Sequence, residues 1–389
     1  MINRNNIIEL LKGIKVEWKA LGQVTTTVTA PSKIKKDKYC KTGKIAIIDQ
    51  GEQFIAGYSN EDIQPIEYGQ YIIFGDHSEH IKYVDFSFIQ GADGIKILKA
   101  NIDNAKYIYY AFKNFYNKEF SYKRHWSNAK ETYIPIPPLR VQTEIVRILD
   151  TFTKLTAELT AELTAELIAR KKQYNYYRDK LLTFKEDEVE WKALGEVGQL
   201  IRGNGLQKKD FTETGVPAIH YGQIYTYYGI FATETKSFVS AKLAEKLKKA
   251  RYGDILLAGT SENVKDVMTP LGWLGGEIVF SGDMFAFRPS NILNTKYLTY
   301  LLQTTPFQKF KEKYANGTKV IRIPAEKFLT FNIPIPPLKE QVRIVEILDK
   351  FDVLTNSITE GLPREIELRQ KQYEYYRNLL LNFPKVEDK

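Results

Sequence analysis

The stretch that decides the fold is "LTAELTAELTAELIARKKQYNYYRDKLLTF", Leu155–Phe184, in which the word Thr-Ala-Glu-Leu stands three times in succession. Globular cores rarely repeat so literally. A helix can, because four residues are close to one turn and an added unit leaves the apolar stripe on nearly the same face. From Leu139 to Phe184 there is no proline or glycine, and Ile145, Leu149, Phe152, Leu155, Leu159, Leu163, Leu167, Tyr174, Tyr177 and Leu181 recur at helical spacing. The pattern predicts one long helix with one apolar stripe, roughly 70 Å long if fully helical.

Outward from that helix, the chain is written twice. "VEWKALG" stands at Val16–Gly22 and again at Val189–Gly195, an offset of 173, and "IPIPPL" at Ile134–Leu139 and Ile333–Leu338, an offset of 199. "QTEIVRILDTF" and "RKKQYNYYRDKLLTF" in the first copy answer to "EQVRIVEILDKF" and "RQKQYEYYRNLLLNF" in the second. The two offsets differ because the middle of the second copy carries 26 additional residues. The middles themselves, residues 23–133 and 196–332, share little sequence. Both mix short alternating apolar runs with turn residues, and each contains a stretch that reads as amphipathic helix, "KYIYYAFKNFYNKEF" or "TKYLTYLLQTTPFQKFKEKY". A repeated frame with divergent inserts predicts one geometry serving two different tasks of one kind.

At the 199-residue offset Leu159, Leu163 and Leu167 correspond to Ile358, Leu362 and Ile366. The spacing therefore predicts an intramolecular antiparallel, coiled-coil-like pair of long helices, with Leu155, Leu159, Leu163 and Leu167 facing Leu354, Ile358, Leu362 and Ile366. Gly361 and Pro363 are expected to kink the second helix. Antiparallel pairing would place the globular inserts at opposite ends. The expected class is α+β, with two globular α/β domains, a pseudo-twofold internal repeat and the helix pair between them. Expected boundaries are 1–138 for a first globular domain with a short N-terminal helix, 139–184 for the repeat-bearing helix, 185–337 for a second domain and 338–389 for the C-terminal helix. "IIELLKGIKVEWKALG" matches "DKLLTFKEDEVEWKALG", so the chain ends should lie together.

The 389 residues carry a net charge of +9 and 43% hydrophobic residues, which fits a soluble globular protein with a polyanionic partner. No apolar run reaches membrane-spanning length, and the N-terminus has neither the apolar centre nor the cleavage site of a signal peptide. One cysteine, Cys40, excludes an intrachain disulfide and fits the cytoplasm. With four scattered histidines it makes a structural zinc site improbable, and no metal is expected; His77 and His80 read as loop residues.

Catalytic signatures are missing from the sequence. There is no phosphate-binding P-loop, no Asn/Asp-Pro-Pro-aromatic motif of amino-methyltransferases and no local nucleophile–histidine arrangement. Glu17-x-Lys19 and Glu190-x-Lys192 match part of a metal-dependent nuclease site, but they belong to the repeated frame, where Trp18 and Trp191 suit a packing junction.

The doubled frame, the "IPIPPL…EQVRIVEILDKFDVLTNSITEGLPREIELRQKQYEYYRNLLL" segment and the Thr-Ala-Glu-Leu array resemble the specificity subunit of type I restriction–modification systems, of the IC family. The resemblance implies that each insert is a target-recognition domain for one half of a split, asymmetric double-stranded DNA sequence. It also implies that the paired helices set the half-site spacing and dock two modification (methyltransferase) subunits, which restriction subunits join. S-adenosylmethionine would then belong to the modification subunit, ATP and Mg²⁺ to the restriction subunit, and no cofactor to this chain, which would not be an enzyme. Two other readings stay open: an assembly scaffold that reads no bases, and a nuclease using the Glu-x-Lys pairs.

Candidate base-reading residues follow from side-chain chemistry, since Gln pairs bidentately with adenine and Arg or Lys with guanine. In the first insert they are Gln50, Gly51 and Gln53 in a turn, with Tyr58, and Lys123, Arg124 and His125 in "SYKRHW". In the second they are Arg202, Asn204, Gln207, Lys208 and Lys209 in "RGNGLQKKDF", His220, Tyr221 and Gln223 in "IHYGQIYTYYG", and Asn316, Thr318 and Lys319 in "ANGTKVIR". "KLAEKLKKAR", residues 242–251, reads as a solvated helix face. Neither insert is a polybasic arm: their net charges are +2 and +6, so binding would rest on shaped surfaces.

Overall fold

The computed structural model describes residues 4–91, 94–357 and 360–384, with residues 4–6 described in backbone only. The chain divides into two compact units, Met1–Thr160 with Leu368–Lys389, and Ala161–Glu367. The helix Leu139–Leu181 runs unbroken for 43 residues, as its lack of Pro and Gly permits, and contributes one half to each unit.

In the first unit a four-stranded antiparallel sheet has the order Thr25–Val28, Ile95–Ala100, Tyr71–Gly75, Ile81–Val84. Both its faces are covered, so its central strand "YIIFG" is apolar throughout. Alternation along the strands sorts the side chains between two cores. Ile72, Phe74 and Leu98 face the helix Ala105–Phe115 and Ile145, Ile148 and Leu149 of the long helix, while Ile73, Ile97 and Tyr71 pack with Ile48, Val84 and Phe88. A second sheet joins Gly57–Ser59, Ile45–Ile48 and Phe88–Gln90, the last two strands parallel. The repeated "VEWKA" and "IPI" segments pair as a two-stranded ribbon, Glu17–Ala20 with Tyr133–Ile136. C-terminal residues close the core: Leu380, Leu381 and Phe383 pack with Ile7, and Trp18 Nε1 donates to the Pro384 carbonyl at 3.4 Å. The ends of the described chain therefore meet in one unit. Here the helix Leu139–Leu181 runs antiparallel to the C-terminal helix Gly361–Leu381, with Phe152 against Tyr376 and Thr153 Oγ1 donating to Tyr373 at 3.0 Å.

The second unit repeats this topology without repeating the sequence. Its antiparallel strands Gly198–Arg202, Met284–Pro289, Ile255–Ala258 and Pro270–Trp273 stand in the same order as their counterparts, and Val216–Ile219 runs parallel to Ile278–Phe280 as Ile45–Ile48 does to Phe88–Gln90. The longer insert adds the short strands Phe211–Thr212, Phe231–Ala232 and Lys249–Ala250 to these sheets, and the helices Tyr221–Thr226 and Ala241–Ala244. Tyr174 and Tyr177 pack on Phe351, so the helix Leu139–Leu181 meets Leu338–Asn356 here.

Each insert is fixed to its helix by the same polar clamp. Gln142 Oε1 accepts from the Asn104 amide and its Nε2 donates to the Pro137 carbonyl; Gln341 does the same for Asn294 and Pro336. Asp150 takes Lys106 Nζ at 2.8 Å and Tyr110 Oη at 2.7 Å, and Asp349 takes Lys296 Nζ at 2.6 Å and Tyr300 Oη at 2.7 Å.

Four local expectations differ. The second frame helix is not kinked but divided, into Leu338–Asn356 and Gly361–Leu381. Gly361 has φ +75° and stands so close to the Val353 carbonyl that a Cβ would lie 2.4 Å from it, and Pro363 supplies no amide to an earlier turn. Along the helix seam Leu163 and Leu362 are buried and Leu159, Leu167, Leu354 and Ile366 half-buried, but Leu155 is exposed; Ile358 lies outside the described residues. Phe152, three residues earlier, makes the contact instead. Residues 242–251 are no helix face: only Ala241–Ala244 is helical, and Lys249–Ala250 is a strand. The segment from Thr295 likewise forms two helices, Thr295–Leu301 and Thr305–Tyr314, with Pro306 in the first turn of the second.

Candidate nucleic-acid interface

In the first unit three loops that are distant in sequence lock together. The Gln50 carbonyl accepts from Ser78 Oγ and from His80 Nδ1 (3.1 Å), and its side-chain oxygen accepts from the His77 amide at 3.2 Å. His77 Nδ1 donates in turn to the Lys123 carbonyl at 3.1 Å. The buried Lys82 ties down the first loop through the Asp49 and Gln53 carbonyls at 2.8 and 2.6 Å, and burial, set against Asp49, pulls its pKa below the lysine range. The two histidines proposed as loop residues thus bond to backbone carbonyls.

Glu79 organises the third loop. It is 3% exposed, and its carboxylate accepts from Tyr116 Oη at 2.6 Å and from the Glu119 and Phe120 amides, both at 2.9 Å. Burial works against its charge, but those three donors and His125 outweigh it and hold the carboxyl below its ordinary range. Asp76 adds a second anchor, accepting from the His125 and Trp126 amides at 3.0 and 2.8 Å. His125, chosen from sequence as a DNA contact, is wholly buried. Its Nε2 donates to the Ser121 carbonyl at 2.8 Å and its Nδ1 lies 3.5 Å from Glu79, so it supports the loop rather than facing a ligand. Lys123 pairs with Glu119, and Gln53, Gly51, Lys123 and Arg124 are exposed. Tyr58 stands apart from these loops, half-buried on the strand Gly57–Ser59 opposite Ala46. Phe120 and Tyr122, neither of them singled out by side-chain chemistry, project from the third loop.

Because the Glu79 pKa is depressed, its contribution is fully present above the ordinary carboxylate range and lost as pH falls through the depressed value. Replacing Glu79 by Ala is expected to cost the loop about 2 kcal/mol. The check is amide hydrogen exchange at Glu119 and Phe120 at neutral pH: both should lose protection in the variant, and unchanged exchange would remove Glu79 as the anchor.

In the second unit Arg202, at the end of its strand, and Asn316 line one cavity of about 470 Å³ together with Thr260, Asp283 and Arg322. Asn204 is spent on structure: its Nδ2 donates to the Lys246 carbonyl and its Oδ1 accepts from the Lys248 amide. Gln223 is spent likewise, with Oε1 accepting from the His220 amide and Nε2 donating to Ser237 Oγ. His220 caps the helix Tyr221–Thr226, accepting from the Gly222 amide, and burial lowers its pKa. The Tyr221 amide donates to Ser281 Oγ, which brings this turn beside Gly203, whose missing side chain leaves room for the Ser281 carbonyl. Gln207, Lys208, Lys209, Thr318 and Lys319 are exposed on the flanking turns. The structure therefore draws Arg202, His220, Tyr221 and Asn316 around the Ser281–Asp283 turn.

The Glu-x-Lys pairs sit on the two ribbons and bind each other, Lys19 to Glu17 at 2.7 Å and Lys192 to Glu190 at 3.1 Å. Among the described residues no group of three His, Cys, Asp or Glu side chains is placed to hold a metal ion. No helix among them is long and apolar enough to cross a membrane.

Residues 14–169 and 186–368 each match the profile of the type I restriction modification DNA specificity domain. The specificity subunit of the type I restriction enzyme EcoR124I/EcoR124II of Escherichia coli is 42% identical over 97% of both chains. A putative type I restriction enzyme specificity subunit of Haemophilus influenzae is 35% identical over 98% of this chain and 99% of its own. The fold recurs in a chain solved in a study of complex assembly and conformational transition of the type I R-M system (TM-score 0.64, 17% identity, 95% of this chain and 98% of that one). It recurs too in the HsdS subunit of Thermoanaerobacter tengcongensis (TM-score 0.51, 17% identity, 94% and 95%). Two matched domains in one chain, on a doubled fold, assign the protein: it belongs to the family of type I restriction–modification DNA specificity subunits.

Proposed function

We propose that each unit reads one half of a split, asymmetric duplex target, and that the helix pair sets the distance between the halves and docks two modification subunits. Membership of the family makes the chain the recognition component of a type I system and not its catalyst. Methyl transfer from S-adenosylmethionine then falls to the modification subunits, and ATP- and Mg²⁺-dependent translocation and cleavage to the restriction subunits, all acting on DNA in the cytoplasm. The observation that carries this reading is the pairing of one topology, held by one clamp, with two unlike loop clusters. A scaffold without base reading would need no such divergence between inserts that share one topology.

The test is retention of a duplex by the chain assembled with its own modification subunits, in competition with scrambled DNA. Arg202→Ala with Asn316→Ala is expected to weaken specific retention about tenfold or more, since a bidentate base contact is worth about 1–3 kcal/mol. Full retention by that variant would withdraw these residues, and an absence of sequence preference in the intact complex would leave the scaffold.

A further inference from the structure

The loop between the helix Ala105–Phe115 and Trp126 has no regular structure, yet it is fixed at both ends and at its middle by Glu79, Asp76, His77 and His125. What this anchoring holds outward is aromatic. Phe120 is 88% exposed and Tyr122 93%, and Tyr122 stacks on His77 with ring centroids 5.4 Å apart. Phe120 has φ +55°, a left-handed conformation that bulky residues avoid, and the Glu79 carboxylate bonded to its amide holds it there. Large apolar side chains ordinarily collapse against a core; here the backbone is pinned so that they do not.

We propose that Phe120 and Tyr122 form an aromatic finger that wedges into a base step of the half-site read by the first unit, stacking on base faces that the opened step uncovers. This rests on the DNA-reading function proposed above and adds to it a contact with base faces rather than base edges. Charge favours DNA over a protein surface as the occupant: Lys118, Lys123 and Arg124 flank the pair, and the one acidic residue of the loop, Glu119, is already bonded to Lys123 and Asn128. The finger is also continuous, through His77, with the Gln50 loop. The corresponding loop of the second unit, residues 315–324, has no aromatic residue, so the two half-sites are gripped differently.

The experiment uses the chain assembled with its modification subunits and a fluorescent duplex bearing its methylation target, titrated at several salt concentrations. Phe120→Ala and Tyr122→Ala are each expected to weaken specific binding roughly tenfold to a hundredfold. Stacking releases no counterions, so the slope of log affinity against log salt stays that of the wild type, whereas Arg124→Ala lowers it by about one. Phe120→Tyr and Tyr122→Phe keep the ring and should retain affinity. Unchanged affinity in the alanine variants, with the wild type still selective, overturns the finger alone. Loss of subunit assembly in those variants makes the pair a protein contact and overturns it too. A wild-type complex that does not discriminate sequences strikes the underlying reading instead.

Discussion

Deleting one Thr-Ala-Glu-Leu unit, Thr160–Leu163, is expected to move methylation to a target with the same two half-sites and a gap shorter by one or two base pairs. Four residues shorten a helix by about 6 Å, against about 3.4 Å per base pair. They rotate it by about 40° beyond a full turn, so Leu167 moves into the place of Leu163 and the buried seam persists. The original target would have to be bent or twisted to fit, at a cost of order 1–6 kcal/mol, and its methylation should fall at least about tenfold. Deleting a single residue differs in kind. It turns the downstream stripe by about 100°, takes a leucine out of the seam, and should destabilise the pair by about 2 kcal/mol without offering a new gap. Methylation mapping of both variants checks this, and a four-residue deletion that keeps the original spacing contradicts it.

The second large effect concerns the centre of the second unit. Asp254, 1% exposed, precedes the strand Ile255–Ala258 and is held bidentately by Arg288 of the adjoining strand, Nε and Nη2 both at 2.8 Å. Arg288→Ala leaves that carboxylate buried with, among the described residues, only the Arg251 amide as donor. Stranding a buried charge costs about 3–5 kcal/mol, a large part of a domain's stability. Denaturant unfolding of the full chain should show the loss in the second unit, while hydrogen exchange in Ile72–Phe74 of the first unit stays as in the wild type. Asp254→Asn with Arg288→Gln removes both charges and should recover a substantial part. A single variant as stable as the wild type would show that the pair is dispensable.

Much of the architecture is legible because the frame states itself twice. The 199-residue offset aligns Gln142 with Gln341 and Asp150 with Asp349, and the structure gives each pair the same partners. The loops were legible only in part, since whether a polar side chain reads a ligand or holds its own backbone depends on neighbours remote in sequence. Nothing near His125 announces Glu79, which stands across the fold, and nothing near Asn204 announces the Lys246 carbonyl that it caps. Phe120 and Tyr122 escaped for the opposite reason: aromatic residues default to the core, and only the anchoring of their loop turns them outward. Leu155 misled because it stands on the apolar stripe yet is exposed, the contact at that end being made by Phe152, about one turn earlier.

The central claim, one half-site per unit with a fixed gap, is tested most directly by mapping adenine methylation across the genome of cells carrying this chain with its own modification subunit. A single split, asymmetric motif with one gap length is the expected result. Random methylation, a continuous motif, or no methylation from an assembled complex would contradict it.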